Sequence, residues 1–199
     1  MSPAARPKAE SPPGRVRIIG GRFRRTPIPV VAVPGLRPTP DRVRVTVFNW
    51  LEHLLGSLEG RSALDLFAGS GALGFEMASR GAARVVLVER HPRAAQALRQ
   101  LQQRLGATAV TVVESDWAAA AAREAAGAFD VVFADPPFGA DLLPGALAAA
   151  RRLLKPEGLL YVESGAGLGE AELVAAGFTA VRDSTAGAVH FGLLRPAAQ

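Results

Sequence analysis

Residues 63–74 carry the sequence Ala-Leu-Asp-Leu-Phe-Ala-Gly-Ser-Gly-Ala-Leu-Gly. The apolar first half predicts a buried strand, the glycines at 69, 71 and 74 predict a tight turn, and the small residues that follow favour a helix. This G-x-G-x-x-G spacing lets a backbone approach a ligand closely and points the amides of a helix N-terminus at it. The same small residues also suit ordinary packing between a strand and a helix, so the turn alone is a weak indication of a ligand site.

Asp65, in the predicted strand before this turn, distinguishes two kinds of cofactor. A dinucleotide brings its pyrophosphate to the helix N-terminus, where a nearby carboxylate would repel it. S-adenosylmethionine carries an ammonium and a sulfonium group and no phosphate, so the same carboxylate would attract it. Asp65 therefore favours S-adenosylmethionine over NAD.

The rest of the chain alternates predicted strands and helices. Strands are predicted at 63–67, 84–89, 109–113, 129–134 and 158–163, and helices at 72–80, 93–105, 117–126, 141–154 and 169–176. This alternation predicts an α/β fold with a doubly wound, Rossmann-like sheet that is mostly parallel. Only five residues separate the last two predicted strands, 178–182 and 188–194. Because such a short connection allows only a hairpin, we expect the last strand to be antiparallel to its neighbour.

The N-terminal part of the chain is basic. Residues 1–54 contain ten Lys and Arg against three Asp and Glu, whereas the remainder contains thirteen against fifteen. We expect a disordered Pro-rich leader at 1–14, a basic hairpin or arm with a loop at 15–40, and one main domain at 41–199. The basic arm suits a polyanionic partner, although a solvated basic tail would have the same composition.

Seven residues of this region are candidate nucleic-acid contacts. The arm is predicted to contain strands at 15–19 and 22–26 around a Gly20-Gly21 turn, and Thr39 is predicted to cap a helix that starts at Pro40. Guanidinium groups pair with phosphates, and an aromatic ring can stack on a base. The candidates are Arg15, Arg17, Arg22, Phe23, Arg24, Arg25 and Arg42.

Acidic residues lie at or just after the ends of the predicted parallel strands, which is where such sheets bind ligands. They are Asp65, Glu89, Glu114 with Asp116, Asp135 and Glu163. Glu89 lies 20 residues after Gly69, a spacing at which a carboxylate can accept both hydroxyls of a ribose. Asp116 can accept a hydrogen bond from an adenine amino group, and Trp117 can pack on the adenine or anchor the core.

Asp135-Pro136-Pro137-Phe138 follows the fourth predicted strand. Two consecutive prolines fix the backbone and hold a carboxylate and a carbonyl in set directions. Both groups are acceptors, so together they suit an NH₂ group that loses a proton as it gains a methyl group. Phe138 can stack on the base that carries this amine. The alternative is a rigid turn with an acidic helix cap.

The composition excludes several classes of protein. The chain has no cysteine, which rules out disulfides and thiolate chemistry. No run approaches the ~18 apolar residues of a membrane helix, and the start is too polar for a signal peptide, so we expect a cytoplasmic protein. His53, His91 and His190 lie far apart, and we expect no metal site.

These motifs together resemble a known family. The pairing of Asp65-x-Phe67-x-Gly69-x-Gly71 with Asp135-Pro136-Pro137-Phe138 is similar to class I amino-methyltransferases that use S-adenosylmethionine. A narrower resemblance is to the bacterial guanine-N2 methyltransferases of 16S ribosomal RNA, in the family known as small-subunit methyltransferase D. The stretches that resemble this family are 17–21, 35–39, 41–44, 48–51 and 161–164. Val45 and Val47 depart from it, since the family usually carries Glu and Leu there.

The resemblance implies a substrate and a role for each candidate. The cofactor would be S-adenosylmethionine, the partner ribosomal RNA or the assembling small ribosomal subunit, and the protein a monomer. Asp135 and the Pro136 carbonyl would bind guanine N2, with Pro137 holding the turn and Phe138 stacking on the ring. The residues implied to hold the cofactor are Arg37, Thr39, Asp65, Phe67, Gly69, Gly71, Glu89, Asp116 and Trp117.

Three other functions stay open from the sequence. One is a methyltransferase that acts on adenine or cytosine amines of DNA, or on a protein amide. Another is an NAD-dependent oxidoreductase, which Asp65 and the lack of a recognisable hydride-transfer acid disfavour. The third is a non-catalytic RNA-binding protein on the same scaffold, which the acidic residues at the strand ends disfavour.

Overall fold

The computed structural model describes residues 16–31, 39–137 and 141–197. Its centre is a seven-stranded sheet with the strand order β3-β2-β1-β4-β5-β7-β6. Strands β1 to β5 are parallel, and β7 is antiparallel to both β5 and β6. The strands are β1 (Ser62–Asp65), β2 (Arg84–Glu89), β3 (Val110–Glu114), β4 (Phe129–Ala134), β5 (Leu154–Ser164), β6 (Phe178–Ala186) and β7 (Val189–Pro196). The predicted doubly wound, Rossmann-like α/β fold with an antiparallel last strand is confirmed.

Helices cover both faces of this sheet. They are α1 (Asp41–Leu55), α2 (Ala72–Ser79), α3 (Pro92–Leu105), α4 (Trp117–Arg123), α5 (Leu143–Leu153) and α6 (Glu170–Ala175). Helices α1, α2 and α3 pack in one apolar cluster with Val131 and Phe133 of β4. Helices α4, α5 and α6 pack in a second cluster with Val132 and Ala134. Because both faces are covered, β4 is buried along its whole length.

Three element boundaries differ from the sequence predictions by three residues or more. Strand β6 ends at Ala186 rather than at residue 182. Helix α4 ends at Arg123 rather than at residue 126. Strand β5 begins at Leu154 rather than at residue 158, because Leu154 already pairs with Phe129 of β4 ahead of a register shift. The pairing thus starts before Pro156, which the sequence pattern did not indicate.

The N-terminal arm is a short hairpin that differs from the prediction in its second half. Arg17 and Pro27 form a single antiparallel bridge, and the Ile18 amide donates to the Thr26 carbonyl at 3.0 Å. The predicted returning strand at 22–26 is wrong, because residues 22–25 form the turn itself. Arg25 adopts a φ of 70° in that turn, with its amide bonded to the Ile18 carbonyl at 2.8 Å. Pro27 and Pro29 lack an amide N–H and prevent a longer ladder.

The arm is fastened to helix α2 by two side chains. The buried Glu76 carboxylate accepts the amides of Ile19 at 2.7 Å and Gly20 at 2.8 Å. Ser79 accepts the Phe23 amide at 2.8 Å through Oγ. A Cβ atom on Gly21 would lie 1.9 Å from the Ser79 carbonyl oxygen, so only glycine fits this close approach.

The charge of Glu76 is balanced by two arginines. Arg80 reaches its carboxylate at 2.8 Å, and the completely buried Arg44 of α1 lies 3.9 Å away. Arg44 also donates to the carbonyl of Arg17 in the arm at 2.9 Å. This buried ion cluster therefore joins α1, α2 and the arm.

Candidate active site

A cavity of about 990 Å³ opens at the carboxyl ends of the parallel strands. Its wall contains an acid from each strand end, namely Asp65, Glu89, Asp116, Asp135 and Glu163. The residues predicted to contact a cofactor or an amine that line this cavity are Thr39, Asp65, Phe67, Gly69, Glu89, Asp116, Trp117, Asp135, Pro136 and Pro137. The strand order explains their convergence, because β3, β2, β1, β4 and β5 are neighbours whose ends meet along one edge.

Several sequence predictions fall outside this wall. Arg37 and Phe138, as well as Arg15 and the leader at 1–14, lie outside the described residues. Gly71 is described but does not line the cavity; it caps α2 with a φ of 79°. A Cβ atom on Gly71 would lie 2.5 Å from the Leu98 side chain, so this glycine is required for the turn and its packing.

Glu89 is held at the end of β2 by two backbone amides. Its Oε2 accepts the Gly69 amide at 2.9 Å, and its Oε1 accepts the His91 amide at 2.7 Å. The carboxylate is therefore oriented by the glycine turn itself. Each oxygen keeps a further lone pair for a hydroxyl donor, which suits the two hydroxyls of a ribose.

Asp65 is almost completely buried, with 2% of its surface exposed. Burial is the main cause that raises the pKa of its carboxyl to about 7, and the nearby Glu89 charge contributes to the same shift. Backbone amides of Phe67 and Gly74 oppose this shift. A cationic group in the cavity would favour the ionised form, since an opposite charge stabilises a buried carboxylate.

Asp116 and Trp117 sit where α4 begins. Asp116 caps α4 by accepting the Ala118 amide at 2.8 Å through Oδ1. The Trp117 ring lies 5.7 Å from the Phe67 ring at an angle of 41°. Trp117 packs against the apolar cluster and also lines the cavity, so it anchors the core, and its packing on an adenine stays a prediction.

Asp135 and Pro136 follow directly on strand β4. Burial raises the pKa of Asp135 well above its ordinary value, and the charges of Glu163 and Asp65 raise it further. No hydrogen bond within the described residues contributes to this shift. The Asp135 carboxyl is thus free to receive donors from the cavity.

Glu163 is a wall residue to which the sequence assigned no role. It is 5% exposed, and its Oε1 accepts the Tyr161 hydroxyl at 2.6 Å. Burial raises its pKa, while hydrogen bonds from Tyr161 and Thr39 oppose the shift. The prediction of Thr39 as a helix cap is wrong: Pro40 occupies that position, and the Thr39 hydroxyl bonds to Glu163 instead. Only the strand-end position of Glu163 signalled it in the sequence.

The turn between β6 and β7 also reaches the cavity, through residues 186–189. The sequence could not indicate this, because it depends on β7 pairing with β5 beside the cavity.

The candidate nucleic-acid residues divide into two groups. Four arginines, Arg17, Arg24, Arg25 and Arg42, line a separate cleft of about 310 Å³ between the arm and α1, together with Asp41 and Val45. Arg17 pairs with Asp41 at 3.3 Å, whereas Arg24, Arg25 and Arg42 form no ion pair with any carboxylate of the described residues. Arg22 stacks over Phe23 with 5.4 Å between its Cζ and the ring centre, and Phe23 packs against the core.

Consecutive residues at the start of α1 line the cavity and the cleft. Pro40 lines the cavity, and the next two residues, Asp41 and Arg42, line the cleft. Across the described ranges, no helix is long and apolar enough to cross a membrane. The same ranges contain no group of acidic or histidine side chains arranged to hold a metal ion.

Comparison with known proteins gives a consistent result. Residues 16–195 match a family model described as Conserved hypothetical protein 95. The chain is 40% identical over 188 residues to Ribosomal RNA small subunit methyltransferase D of Escherichia coli (strain K12), covering 94% of this chain and 92% of the relative. It is also 40% identical over 156 residues to the protein of the same name from Haemophilus influenzae, covering 76% of this chain and 79% of the relative. A solved structure of a candidate methyltransferase from Escherichia coli superposes with a TM-score of 0.77 at 37% identity, covering 94% of this chain and 100% of that chain.

Proposed function

Since the chain belongs to the ribosomal RNA small subunit methyltransferase D family, we propose that it transfers a methyl group from S-adenosylmethionine to the N2 amine of a guanine in 16S ribosomal RNA. The observation that carries the proposal is a shared cavity. Gly69, Glu89 and the Asp135-Pro136 corner line the same 990 Å³ space. A methyl donor and an acceptor amine bound by these groups would therefore be neighbours.

The charges of the cavity fit this cofactor. Asp65 resists ionisation because it is buried near other acids, and a ligand with ammonium and sulfonium groups supplies the missing positive charge. Asp65 and the Gly69 turn would hold its methionine end, and Glu89 would hold the ribose. Asp116, with Oδ1 committed to the α4 cap, keeps its other oxygen for the adenine amino group. The bound cofactor supplies an electrophilic methyl group and a neutral thioether as leaving group.

Asp135 and Pro136 would prepare the amine for attack. The lone pair of guanine N2 is delocalised into the ring, which makes this nitrogen a poor nucleophile. The Asp135 carboxylate and the Pro136 carbonyl each accept one amine hydrogen, which favours a tetrahedral nitrogen and stabilises its developing positive charge. As the new N–C bond forms, the methyl–sulfur bond breaks and its electron pair stays on sulfur. The raised pKa of Asp135 suits it to receive the proton that N2 then releases.

The arm would hold the surrounding RNA. A paired guanine has its N2 engaged, so the target must be unpaired or turned out of its helix. Arg24, Arg25 and Arg42 line the cleft at the start of α1, where Pro40 lines the cavity, and they would suit the phosphates that flank such a base.

The test is methyl transfer with labelled S-adenosylmethionine to small-subunit RNA, free or assembled, from a strain that lacks the corresponding gene. Mass mapping should find one N2-methylguanine. A methyl group on adenine, cytosine or a protein would contradict the proposal. Asp135→Ala should lower turnover at least about a hundredfold, since removal of one hydrogen-bonding group that stabilises the developing charge typically costs that much. Asp183→Ala, which removes an exposed acid on β6, should leave turnover unchanged.

A further inference from the structure

Glu163 is the acid of the cavity wall that neither the cofactor nor the amine accounts for. It lies at the end of β5, almost completely buried, and yet it lines the cavity. Hydroxyl groups from Tyr161, at 2.6 Å, and from Thr39 donate to its carboxylate. These donors come from two separate segments of the chain, which fixes the direction of the side chain.

The strand register places Glu163 beside Asp135. Ala134, the last residue of β4, pairs with Val162 of β5, and Asp135 and Glu163 are the residues that follow these two. Neighbouring strands are about 4.8 Å apart, and the charge of Glu163 raises the pKa of Asp135 as expected for such proximity.

The strand order determines where a bound base must extend. The cofactor residues Asp65 and Glu89 lie on β1 and β2, on one side of β4, while β5 lies on the other side. A base whose amine is held by Asp135 would then have its methyl donor on the β1 side and its ring on the β5 side. In that position Glu163 would lie next to the ring atoms that flank the amine.

Those ring atoms differ among the bases. Guanine carries an N1–H beside its amine, whereas adenine and cytosine carry a ring nitrogen with a lone pair at the corresponding position. An ionised carboxylate can only accept hydrogen bonds. Burial raises the pKa of Glu163, and hydrogen bonds from Tyr161 and Thr39 oppose that shift. The carboxylate has about four lone-pair positions and still has room for another donor.

We propose that Glu163 accepts the N1–H of the target guanine and thereby selects guanine over adenine and cytosine. Tyr161 and Thr39 act as positioning residues for this carboxylate. The inference rests on the proposed function, because it assumes that the amine at Asp135 belongs to guanine.

The experiment uses small-subunit RNA ligated from synthetic and transcribed pieces, with either guanine or 2-aminopurine at the methylated position. 2-Aminopurine keeps the amine, but its N1 is an acceptor. The wild-type kcat/KM should favour guanine by at least about a hundredfold, as sites that hydrogen-bond a substrate N–H reject analogues without it. Glu163→Gln should lower this ratio at least about tenfold, because the glutamine amide can donate to the 2-aminopurine N1. Glu157→Gln, the same change at an exposed position of β5, should keep the wild-type ratio.

The outcomes separate the inference from the proposed function. An unchanged ratio in Glu163→Gln overturns the inference, while methyl transfer to guanine by the wild type still supports the function. A wild type that does not methylate guanine contradicts the function instead. If Glu163→Gln is inactive on both RNAs, the guanine-to-2-aminopurine ratio is measured in two other ways. One is turnover by Tyr161→Phe, and the other is competition binding of the two RNAs to the wild type and to Glu163→Gln. A ratio equal to that of the wild type again overturns the inference. The missing O6 of 2-aminopurine affects all the proteins alike, so the change in ratio isolates the N1 contact.

Discussion

Asp65, which is proposed to hold the methionine end of the cofactor, is a carboxyl group whose ionised form the fold does not favour. Its pKa is raised from the ordinary 3.8 to about 7 in the folded protein, chiefly by burial. Between about pH 4 and pH 7 the folded chain therefore holds a proton that the unfolded chain has released. The free energy of unfolding falls as pH rises through this window, because stability declines where the folded state binds more protons.

Asp65→Asn should remove this pH dependence, since an amide does not titrate. The variant should match the wild type near pH 4 and become more stable above pH 7, by at most about 4 kcal/mol for a shift of about three pKa units. Differential scanning calorimetry from pH 4 to pH 8 measures the difference in Tm. A difference in Tm that stays constant across this range would show that the pKa of Asp65 is not raised.

The same asparagine cannot pair with an ammonium group, so the gain in stability should come with weaker cofactor binding. Lower stability in exchange for ligand binding is common where an active site contains a group that destabilises the fold.

At the scale of elements, helix α2 connects the glycine turn to the arm. Its first residues follow Gly71, and its last turn contains Glu76 and Ser79, which hold the arm. Loss of the Glu76 charge would leave the completely buried Arg44 without one of its two carboxylate neighbours.

Glu76→Ala should destabilise the protein by about 3–5 kcal/mol, the usual cost of removing one partner from a buried ion pair. It should also speed hydrogen exchange at the Ile19 and Gly20 amides, whose acceptor it removes. Glu52→Ala serves as the control, because Glu52 pairs with the same Arg80 but is largely exposed. Its loss should cost no more than about 1 kcal/mol. Equal effects of the two substitutions would contradict the role assigned to Glu76.

Particular elements show how far the sequence could be interpreted. The alternation of strands and helices predicted the sheet, because periodicity and turn residues are local signals. The partners of Arg44 and Glu76 could not be predicted, because the residue types of a buried ion pair are the same as those of two exposed charged residues. Thr39 and Glu163 are far apart in the chain, and only the packing of α1 against the sheet brings them together. The predicted strand at 22–26 is wrong because tertiary contacts with Ser79 draw those residues into a turn.

At the scale of the whole molecule, positive charge is concentrated in the N-terminal part of the chain, which contains the cleft between the arm and α1. Arg24, Arg25 and Arg42 line this cleft without carboxylate partners among the described residues. Uncompensated guanidinium groups in a cleft favour a polyanion there.

Arg25→Gln should reduce the salt dependence of RNA binding. Each phosphate contact contributes about 0.7–0.9 to the slope of log K against log salt, so the slope should fall by that amount. Fluorescence anisotropy with labelled small-subunit RNA at several salt concentrations measures it. Arg123→Gln, an exposed change at the end of α4, should leave the slope at its wild-type value. If the Arg25→Gln variant keeps the wild-type slope, Arg25 does not contact a phosphate of the RNA.

The start of α1 takes part in both the cavity and the cleft, because Pro40 lines the cavity and Arg42 lines the cleft. Under the proposed function, a nucleotide in the cavity would have the cleft arginines close to the start of α1, where they could bind its flanking phosphates. The placement of α1 on the sheet would then affect base binding and phosphate binding together.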